Sequence, residues 1–246
     1  MSNNSNTTRL NKAISDTGYC SRREADKIIE QGRVTINGTK GVLGAKVTPG
    51  DVIRIDGKQL KLPEKTIYIA FNKPPGITCT TDNKKEDNII DYINHPQRIF
   101  PVGRLDKASE GLIFLTSDGN IVNKILRAGN NHEKEYKVKV NKVITPEFIS
   151  KMGNGIPILD TVTANCFVKK ESDHVFKIIL TQGLNRQIRR MCEFLDYEVV
   201  KLKRVRIMNI TLENLPVGEW RDFTKKELED INLLVSNSIK TEEASQ

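Results

Sequence analysis

The sequence lacks several features that would define common classes of protein. It contains no run of about 18 apolar residues, so it predicts no transmembrane helix. The polar N-terminus has no apolar stretch of the kind found in a secretory signal, so we expect a protein that is not secreted. The four cysteines are scattered and form no C-x-x-C pair, which is typical of reduced thiols in the cytoplasm.

Ligands for metals and nucleotides are also scarce. There are only three histidines, and none has a second ligand at helical spacing, so we expect no metal site. Neither G-x-x-x-x-G-K nor G-x-G-x-x-G occurs, and the chain therefore has no recognisable cradle for a nucleotide cofactor. Positive charge, by contrast, is in excess: the formal net charge is +8, which favours a polyanionic partner.

Shifts in composition divide the chain into five segments. Residues 1–8 are polar and predict a flexible N-terminus, and residues 9–60 form a compact basic block. Residues 61–66 are polar and contain a proline, as linkers commonly do. From residue 67 the chain becomes apolar and β-branched, which predicts a second domain over residues 67–240 and a flexible tail over 241–246.

The basic block predicts two short helices followed by a small sheet. Ser21 and Glu24 have the spacing of a capping box at the start of the second helix, and Gly32 is placed to end it. Asn37-Gly38 predicts a tight turn between strands. The helices carry a cluster of basic residues that is either an ordinary solvated surface or a phosphate-contacting one: Arg9, Lys12, Arg22, Arg23 and Lys27.

The order of these elements resembles an S4 RNA-binding domain. The resemblance rests on Arg9 to Ile14, Gly18 to Asp26, Gly32 to Gly38 and Pro49 to Asp51. It implies that the basic helical pair binds structured RNA.

The second block predicts an α+β domain, because many short strands are mixed with a few helices and no regular βαβ alternation appears. Strands are predicted at residues 67–72, 112–116, 134–140, 162–168, 175–180 and 206–212. Helices are predicted at residues 121–128, 146–152 and 186–195, with Thr145 as an N-cap and Pro146 in the first helical position.

Asp106 follows Gly103 and precedes a hydrophobic strand, so its carboxyl group is predicted on a loop that a rigid sheet supports. By position alone, a turn aspartate that caps nearby amides is the favoured interpretation, because nothing in spacing or composition distinguishes Asp106 from the other acidic residues. A second notable stretch, residues 181–194, is rich in arginine. It is either a basic surface helix or a helix that holds an arginine against a substrate phosphate or a buried carboxylate.

Together these stretches resemble bacterial pseudouridine synthases of the RsuA/RluB/RluE/RluF family, and most of all the RluF branch, which modifies large-subunit (23S) ribosomal RNA. The resemblance covers roughly residues 9–230. Its motifs are Asn72 to Gly76, Val102 to Lys107, Ser109 to Leu112, Lys134 to Tyr136 and Gly183 to Met191. Features of the RluF branch in particular are Gly129 to Tyr136, Arg206 to Ile210 and Gly218 to Asp222.

The resemblance implies a reaction and a set of residues. Asp106 would be the nucleophile in the isomerisation of uridine to pseudouridine, with Arg189, or second Arg186, as its cationic partner. Tyr136 would stack on the uracil or handle a proton, and Ile179 or Leu180 would cover its other face. Flanking substrate contacts are expected from Lys73, Arg104, Lys107, Arg186 and Arg190.

The expected fold is a small S4 domain followed by a catalytic domain on a mixed, mostly antiparallel sheet with flanking helices. Because an isomerisation adds and removes nothing, the resemblance implies no cofactor and no metal. The expected partner is ribosomal RNA, with transfer RNA as a further candidate, and the expected state is a cytoplasmic monomer without membrane contact. The competing hypothesis is a non-catalytic S4-type RNA-binding or ribosome-assembly factor, which would not need Asp106 and its arginine.

Overall fold

The computed structural model describes residues 7–63, 65–82, 84–126 and 131–236. The chain forms two compact units, Met1–Ile67 with His95–Ile99 and Tyr68–Asn94 with Phe100–Gln246. In the described ranges, no helix is both long and apolar enough to cross a membrane.

The predicted flexible ends fall largely outside the described residues. This applies to residues 1–6 and to the whole of 241–246. Thr8, however, was predicted to be flexible and instead forms a short strand, because it pairs with Val47 in an antiparallel register. That part of the prediction is wrong.

The described residues of the first unit form two helices and six short strands. The helices are α1 (Leu10–Asp16) and α2 (Arg22–Glu30). The strands are β1 (Thr8–Arg9), β2 (Val34–Ile36), β3 (Thr39–Lys40), β4 (Lys46–Val47), β5 (Ile53–Ile55) and β6 (Lys58–Gln59). Four of the strands form a sheet in the order β3-β2-β5-β6, and β1 pairs with β4.

Local signals in the sequence account for this unit. The predicted capping box of α2 is confirmed: the Ser21 hydroxyl accepts from the Glu24 amide, and the Glu24 carboxylate accepts from the Ser21 amide. Gly32 adopts a left-handed conformation just after α2 ends. The core comprises Leu10, Ile14, Ala25, Ile29, Val34, Val47 and Ile55, all buried.

The second unit is larger. Its helices are α3 (Ile89–Ile93), α4 (Gly119–Leu126), α5 (Pro146–Gly153), α6 (Gln187–Phe194) and α7 (Lys225–Leu234). Its strands are β7 (Tyr68–Lys73), β8 (Phe100–Val102), β9 (Glu110–Thr116), β10 (Lys134–Val140), β11 (Pro157–Ile158), β12 (Thr161–Val162), β13 (Phe167–Ser172), β14 (Val175–Leu180), β15 (Val199–Ile207), β16 (Ile210–Thr211) and β17 (Trp220–Asp222).

A nine-stranded sheet organises this unit. Seven strands lie in the order β13-β14-β10-β15-β9-β7-β17, with β16 paired to β15 and β8 paired to β9. Only β15 and β9 run parallel; all the other described pairs of this sheet are antiparallel. The predicted mixed, mostly antiparallel sheet is therefore confirmed.

The predicted strand over residues 162–168 is wrong. The chain there forms the end of a short hairpin, β11–β12, and a separate strand, β13, that starts only at Phe167. The interruption has a local cause, because Thr163 bonds back to Ile156 through both its amide and its hydroxyl. Those bonds lie next to the β11–β12 pairing and hold this segment in the hairpin.

The predicted strand over residues 206–212 is also wrong in its bounds. It covers the end of the nine-residue strand β15 and the whole of β16, which form a hairpin with Met208 in a left-handed conformation at the turn. The helix predicted over 121–128 begins earlier, at Gly119, and residues 127 and 128 lie outside the described ones. The strands at the sheet centre and the helices α5 and α6 lie where they were predicted, within one or two residues.

Candidate active site

Asp106 lies on the loop between β8 and β9, at the edge of a deep cavity. Lys73, the last residue of β7, contacts this loop, and its side chain is completely buried. The Lys73 ammonium donates to the carbonyl oxygens of Pro74, Lys107 and Ser109 at 2.7, 3.4 and 2.8 Å. The backbone on the C-terminal side of Asp106 is thus tied to the central sheet.

The prediction that Lys73 contacts the substrate is wrong. A fully buried ammonium whose donors are used by backbone carbonyls has no route to an RNA phosphate. Burial lowers the pKa of Lys73, and the nearby acidic groups oppose that effect. Its position identifies it as a residue that shapes the Asp106 loop.

Two arginines from the start of α6 face the Asp106 carboxylate. The Nε atom of Arg189 lies 3.5 Å from Asp106 Oδ2, and Nη1 of Arg186 lies 4.0 Å from the same oxygen. The Arg189 side chain is only 12% exposed, whereas that of Arg186 is 46% exposed. Because attraction between charges is screened less in a buried site, Arg189 is better placed than Arg186 to be the cationic partner of Asp106.

The Arg189 guanidinium is fixed by contacts on both sides. It donates to the Ser109 hydroxyl at 3.2 Å and to the Val199 carbonyl at 3.4 Å. Its Nε–H makes no directed hydrogen bond in the structure, so the 3.5 Å contact with Asp106 is an ion pair without aligned donor geometry. Both arginine contacts are made to the same carboxylate oxygen, Oδ2.

The cavity beside Asp106 has a volume of about 480 Å³. Sites that hold small organic groups have volumes in this range. Its wall includes apolar side chains from four elements together with several cations. The lining comprises Thr78, Cys79, Gly103 to Lys107, Ser109, Leu126, Lys134, Tyr136, Leu180, Gln182 to Arg189, Leu202 and Arg204.

Tyr136 and Leu180 form part of this wall from neighbouring strands. Tyr136 is 9% exposed in the middle of the wall, and its ring provides a flat face on which a base can stack. Of the two candidates for the second apolar contact, Leu180 lines the cavity and Ile179 does not. The reason is strand alternation, which turns residue 179 to the opposite face of the sheet.

Two buried cations of the cavity wall were not predicted. Lys134 is two residues before Tyr136 on β10, and its ammonium donates to the carbonyls of His132 and Thr181 at 3.1 and 3.2 Å. Burial, with the charge of Arg204 as a second cause, lowers the pKa of Lys134 to about 8. Strand alternation alone places it on the same face as Tyr136, so the sequence did contain this signal.

Arg204 is the second of these cations and is 4% exposed. Its Nε–H donates to the Leu112 carbonyl at 2.6 Å, and its guanidinium carbon lies 6.0 Å from the centre of the Tyr136 ring. The cross-strand register places Arg204 directly opposite Tyr136. To predict the position of Arg204 from the sequence, one would have to know that β10 pairs with β15. These two strands are separated by some sixty residues along the chain.

Gly111 makes the close approach of β9 to β15 possible. Its φ of +107° is one that side-chain-bearing residues rarely adopt, and a Cβ atom there would overlap the backbone of Arg204. The two strands run parallel at this point. The glycine thus brings the strand that follows the Asp106 loop against the strand that carries Arg204.

The remaining predicted substrate contacts differ in their positions. Arg104, Lys107 and Arg186 line the cavity. Lys107 also forms an ion pair with Asp87 at 2.6 Å, while its side chain remains mostly exposed. Arg190 is not part of the cavity lining, and its guanidinium instead donates to the carbonyl and the side chain of Asn185.

The cations predicted to bind RNA in the first unit lie on α1, on α2 and just before them. Arg9, Arg22, Arg23 and Lys27 are exposed. Lys12 is half-buried and forms an ion pair with Asp16 at 2.5 Å on the same helix. Most of the predicted cluster is therefore available to a polyanion.

Comparisons with known proteins agree with this geometry. A family model described as RNA pseudouridylate synthase matches residues 67–194, and one described as S4 domain matches residues 8–53. A solved structure described as "Crystal structure of pseudouridylate synthase" superposes with a TM-score of 0.67 at 28% identity, covering 91% of this chain and 99% of the other.

Curated relatives extend the match over almost the whole chain. The dual-specificity RNA pseudouridine synthase RluF of Salmonella typhi is 59% identical over 233 residues, covering 94% of this chain and 81% of the relative. The protein of that name from Escherichia coli strain K12 is 58% identical over 232 residues, covering 94% and 80%. Ribosomal large subunit pseudouridine synthase B of Bacillus subtilis is 34% identical over 238 residues, covering 93% and 97%.

These matches decide between the two hypotheses drawn from the sequence. A non-catalytic S4 protein would not share a pseudouridylate synthase domain with named enzymes along nearly its full length. The chain belongs to the RNA pseudouridine synthase family, as an S4-containing enzyme similar to the RluF proteins.

Proposed function

We propose that this enzyme isomerises a specific uridine of large-subunit ribosomal RNA to pseudouridine, with Asp106 as the nucleophile. The observation that carries the proposal is the Asp106–Arg189 ion pair at the edge of a cavity of about 480 Å³. The names of the relatives support the reaction, and the name of the Bacillus subtilis relative supports the ribosomal substrate. Because the RluF relatives are called dual-specificity enzymes, a second RNA, for which transfer RNA is our candidate, belongs to the proposal.

The reaction requires that the glycosidic C–N bond be broken and a C–C bond be made between the same base and sugar. A covalent intermediate on Asp106 would divide this exchange into two easier steps. The carboxylate attacks either the ribose or the base, the C–N bond breaks, and the uracil turns so that its carbon rejoins the ribose. The proton on that carbon then leaves, the ring nitrogen freed from the ribose takes up a proton, and the carboxylate is released unchanged.

Arg189 places a positive charge beside the nucleophile, with its Nε atom 3.5 Å from Asp106 Oδ2. Arg189 is itself held by Ser109 and Val199, so it does not need to reorganise when the substrate enters. The lost hydration of Asp106 is thereby replaced by a fixed positive charge.

Tyr136 and Leu180 provide the surfaces that hold the base. The uracil must leave its stack in the RNA to reach Asp106, and a flat aromatic ring compensates part of the lost stacking energy. Lys134 and Arg204 add positive charge to the same wall, where the carbonyl oxygens of the base or the neighbouring phosphates would lie. Exclusion of water by this wall would keep the detached base from being lost to hydrolysis.

The exposed cations of the first unit would hold the RNA outside the cavity. Arg9, Arg22, Arg23 and Lys27 are suited to phosphate contacts, which position an RNA without reading its sequence. Lys12, which is paired with Asp16, is expected to contribute less. We further expect a cytoplasmic enzyme that acts as a monomer.

The test is to incubate a transcript of large-subunit ribosomal RNA with the enzyme and to map pseudouridine at every uridine. The wild type is expected to modify one or a few discrete uridines. Asp106→Asn is expected to modify none while still binding the transcript. Asp160→Asn is a matched control, since Asp160 is an exposed carboxylate of the same unit and asparagine tolerates its left-handed backbone. Normal modification by Asp106→Asn would refute the proposal.

A further inference from the structure

Lysines are aligned across four neighbouring strands of the large sheet. In the cross-strand register, Lys169 of β13 lies opposite Lys177 of β14, which lies opposite Lys137 of β10, which lies opposite Lys203 of β15. A second row places Lys139 opposite Lys201. We call these six residues the lysine face: Lys137, Lys139, Lys169, Lys177, Lys201 and Lys203.

The lysine face points away from the cavity. Side chains alternate between the two faces of a strand, so Lys137 and Lys139 lie opposite to Tyr136 and Val138 on β10. The face that carries Tyr136 is the one covered by helices, as shown by the contact of Phe148 on α5 with Phe176 on β14, whose ring centres are 5.2 Å apart. The lysine face is therefore a surface separate from the proposed active site.

The charges of this face are only partly neutralised. Lys137 is paired with Glu171 at 2.9 Å, Lys177 with Glu135 at 3.6 Å and Lys201 with Glu110 at 3.1 Å. Within the described ranges, the other three lysines make no ion pair: Lys139, Lys169 and Lys203. Like charges directly opposite each other destabilise a sheet. An anionic partner would relieve this repulsion.

The residue types favour the phosphate backbone of RNA as that partner. Lysine is a mobile point charge that follows phosphates without reading bases. The row of four spans roughly 14 Å at the spacing of adjacent strands. Among the described residues of β10, β13, β14 and β15, Phe167 is the exposed aromatic side chain, so the lysine face is poorly equipped to stack splayed bases. These features suit a helical segment of RNA.

We propose that the lysine face binds the backbone of a helical RNA segment outside the one that enters the cavity. The inference rests on the proposed function, since it takes the substrate to be a structured RNA. An RNA that extends beyond the minimal modified stem-loop would then contact the enzyme on two faces of the same sheet. Such an extension would add affinity that depends steeply on salt.

The test compares the wild type with the triple variant Lys139→Gln/Lys169→Gln/Lys203→Gln. Each is measured with the shortest stem-loop that is still modified and with a longer fragment that extends its duplex. The control is Lys151→Gln/Lys225→Gln/Lys226→Gln, which removes the same charge from exposed lysines of α5 and α7. Binding is followed between 50 and 200 mM salt, and pseudouridine formation is followed on the short RNA.

When the logarithm of the RNA-binding constant is plotted against the logarithm of the salt concentration, three phosphate contacts contribute about −2.7 to the slope. Between 50 and 200 mM salt, the wild type should therefore lose about 40-fold more affinity for the long fragment than the triple variant does. The control variant should retain the wild-type slope. Normal turnover of the short RNA by the triple variant would show that the fold and the cavity are intact.

Equal slopes for the triple variant and the wild type on the long fragment would overturn the inference. That result is also the one expected if the lysine face binds an acidic protein instead of RNA. Failure of the proposed function would look different, because the wild type itself would then form no pseudouridine on any fragment.

Discussion

Two pairs of basic residues, one pair in each unit, differ in their surroundings. In the first unit, Arg22 and Arg23 begin a helix and remain exposed, so their charge is available at the surface. Around the cavity of the second unit, Lys73 and Lys134 are buried and bonded to backbone carbonyls. The comparison teaches that burial distinguishes basic residues that are available to RNA phosphates, such as Arg22 and Arg23, from a residue such as Lys73, which holds the backbone of the site.

The largest effect is expected from Arg189, the buried cation nearest to Asp106. Arg189→Gln should reduce turnover by about 10²- to 10³-fold, because the carboxylate loses its fixed counter-charge. Arg186→Gln is the matched comparison, as this arginine is more exposed and lies farther from Asp106. Its effect on single-turnover pseudouridine formation should be smaller. Equal losses in both variants would show that burial does not rank the two arginines.

A substitution of Lys73 tests whether this buried cation stabilises the Asp106 loop and makes no contact with the substrate. Lys73→Met removes a charged donor to three carbonyls, so we expect a loss of about 3 kcal/mol in the free energy of unfolding. Lys107→Met, at an exposed cavity residue, should change stability by less than about 1 kcal/mol. Denaturant titration measures both. A stable Lys73→Met variant with weakened RNA binding would reverse our assignment.

The lowered pKa of Lys134 predicts that the free energy of unfolding increases with pH. Its pKa is lowered to about 8 in the folded protein, whereas in the unfolded chain it stays near 10.5. Between these values the unfolded chain binds more protons, so this group makes folding more favourable as the pH rises. From pH 8 to pH 10, wild-type stability should rise by about 2 kcal/mol relative to Lys134→Met. A difference in the free energy of unfolding between the wild type and Lys134→Met that does not change with pH would contradict this prediction.

The smallest effect is expected in the first unit. Arg22→Gln/Arg23→Gln should reduce the salt slope of RNA binding by about 1.8, or roughly 12-fold in affinity between 50 and 200 mM salt. Turnover at saturating RNA should not change, since the cavity is untouched. Arg33→Gln/Arg54→Gln removes the same charge from β5 and from the residue before β2, and serves as the control. If the salt slope of RNA binding were the same for Arg22→Gln/Arg23→Gln and for the control variant, α2 would not be the RNA contact.

Much of the fold could be predicted because its signals are local. The capping box at Ser21 and the proline at the start of α5 each act within a few residues, and both are observed. The interrupted strand around Thr163 could not be predicted, because hydrogen bonds to Ile156 decide it and the β-branched composition of the segment conceals them.

The candidate site shows the same division. Asp106 and Arg189 belong to recognisable motifs, and the structure brings them together. Lys73 was misassigned because its burial depends on how the Asp106 loop folds over the end of β7. Arg204 was missed because only the register of β10 against β15 places it beside Tyr136. The pairing of strands that are distant in the sequence cannot be predicted from a local sequence pattern.

The most direct test of the account is a crystal structure of the Asp106→Asn variant bound to its RNA. We expect the target uridine to be flipped out of its stack, with its ring on Tyr136 and a ribose or base carbon within roughly 3.5 Å of residue 106. A uridine that stays stacked in the RNA, or that occupies a site away from the cavity, would contradict the central claim that this ion-paired carboxylate attacks the nucleotide.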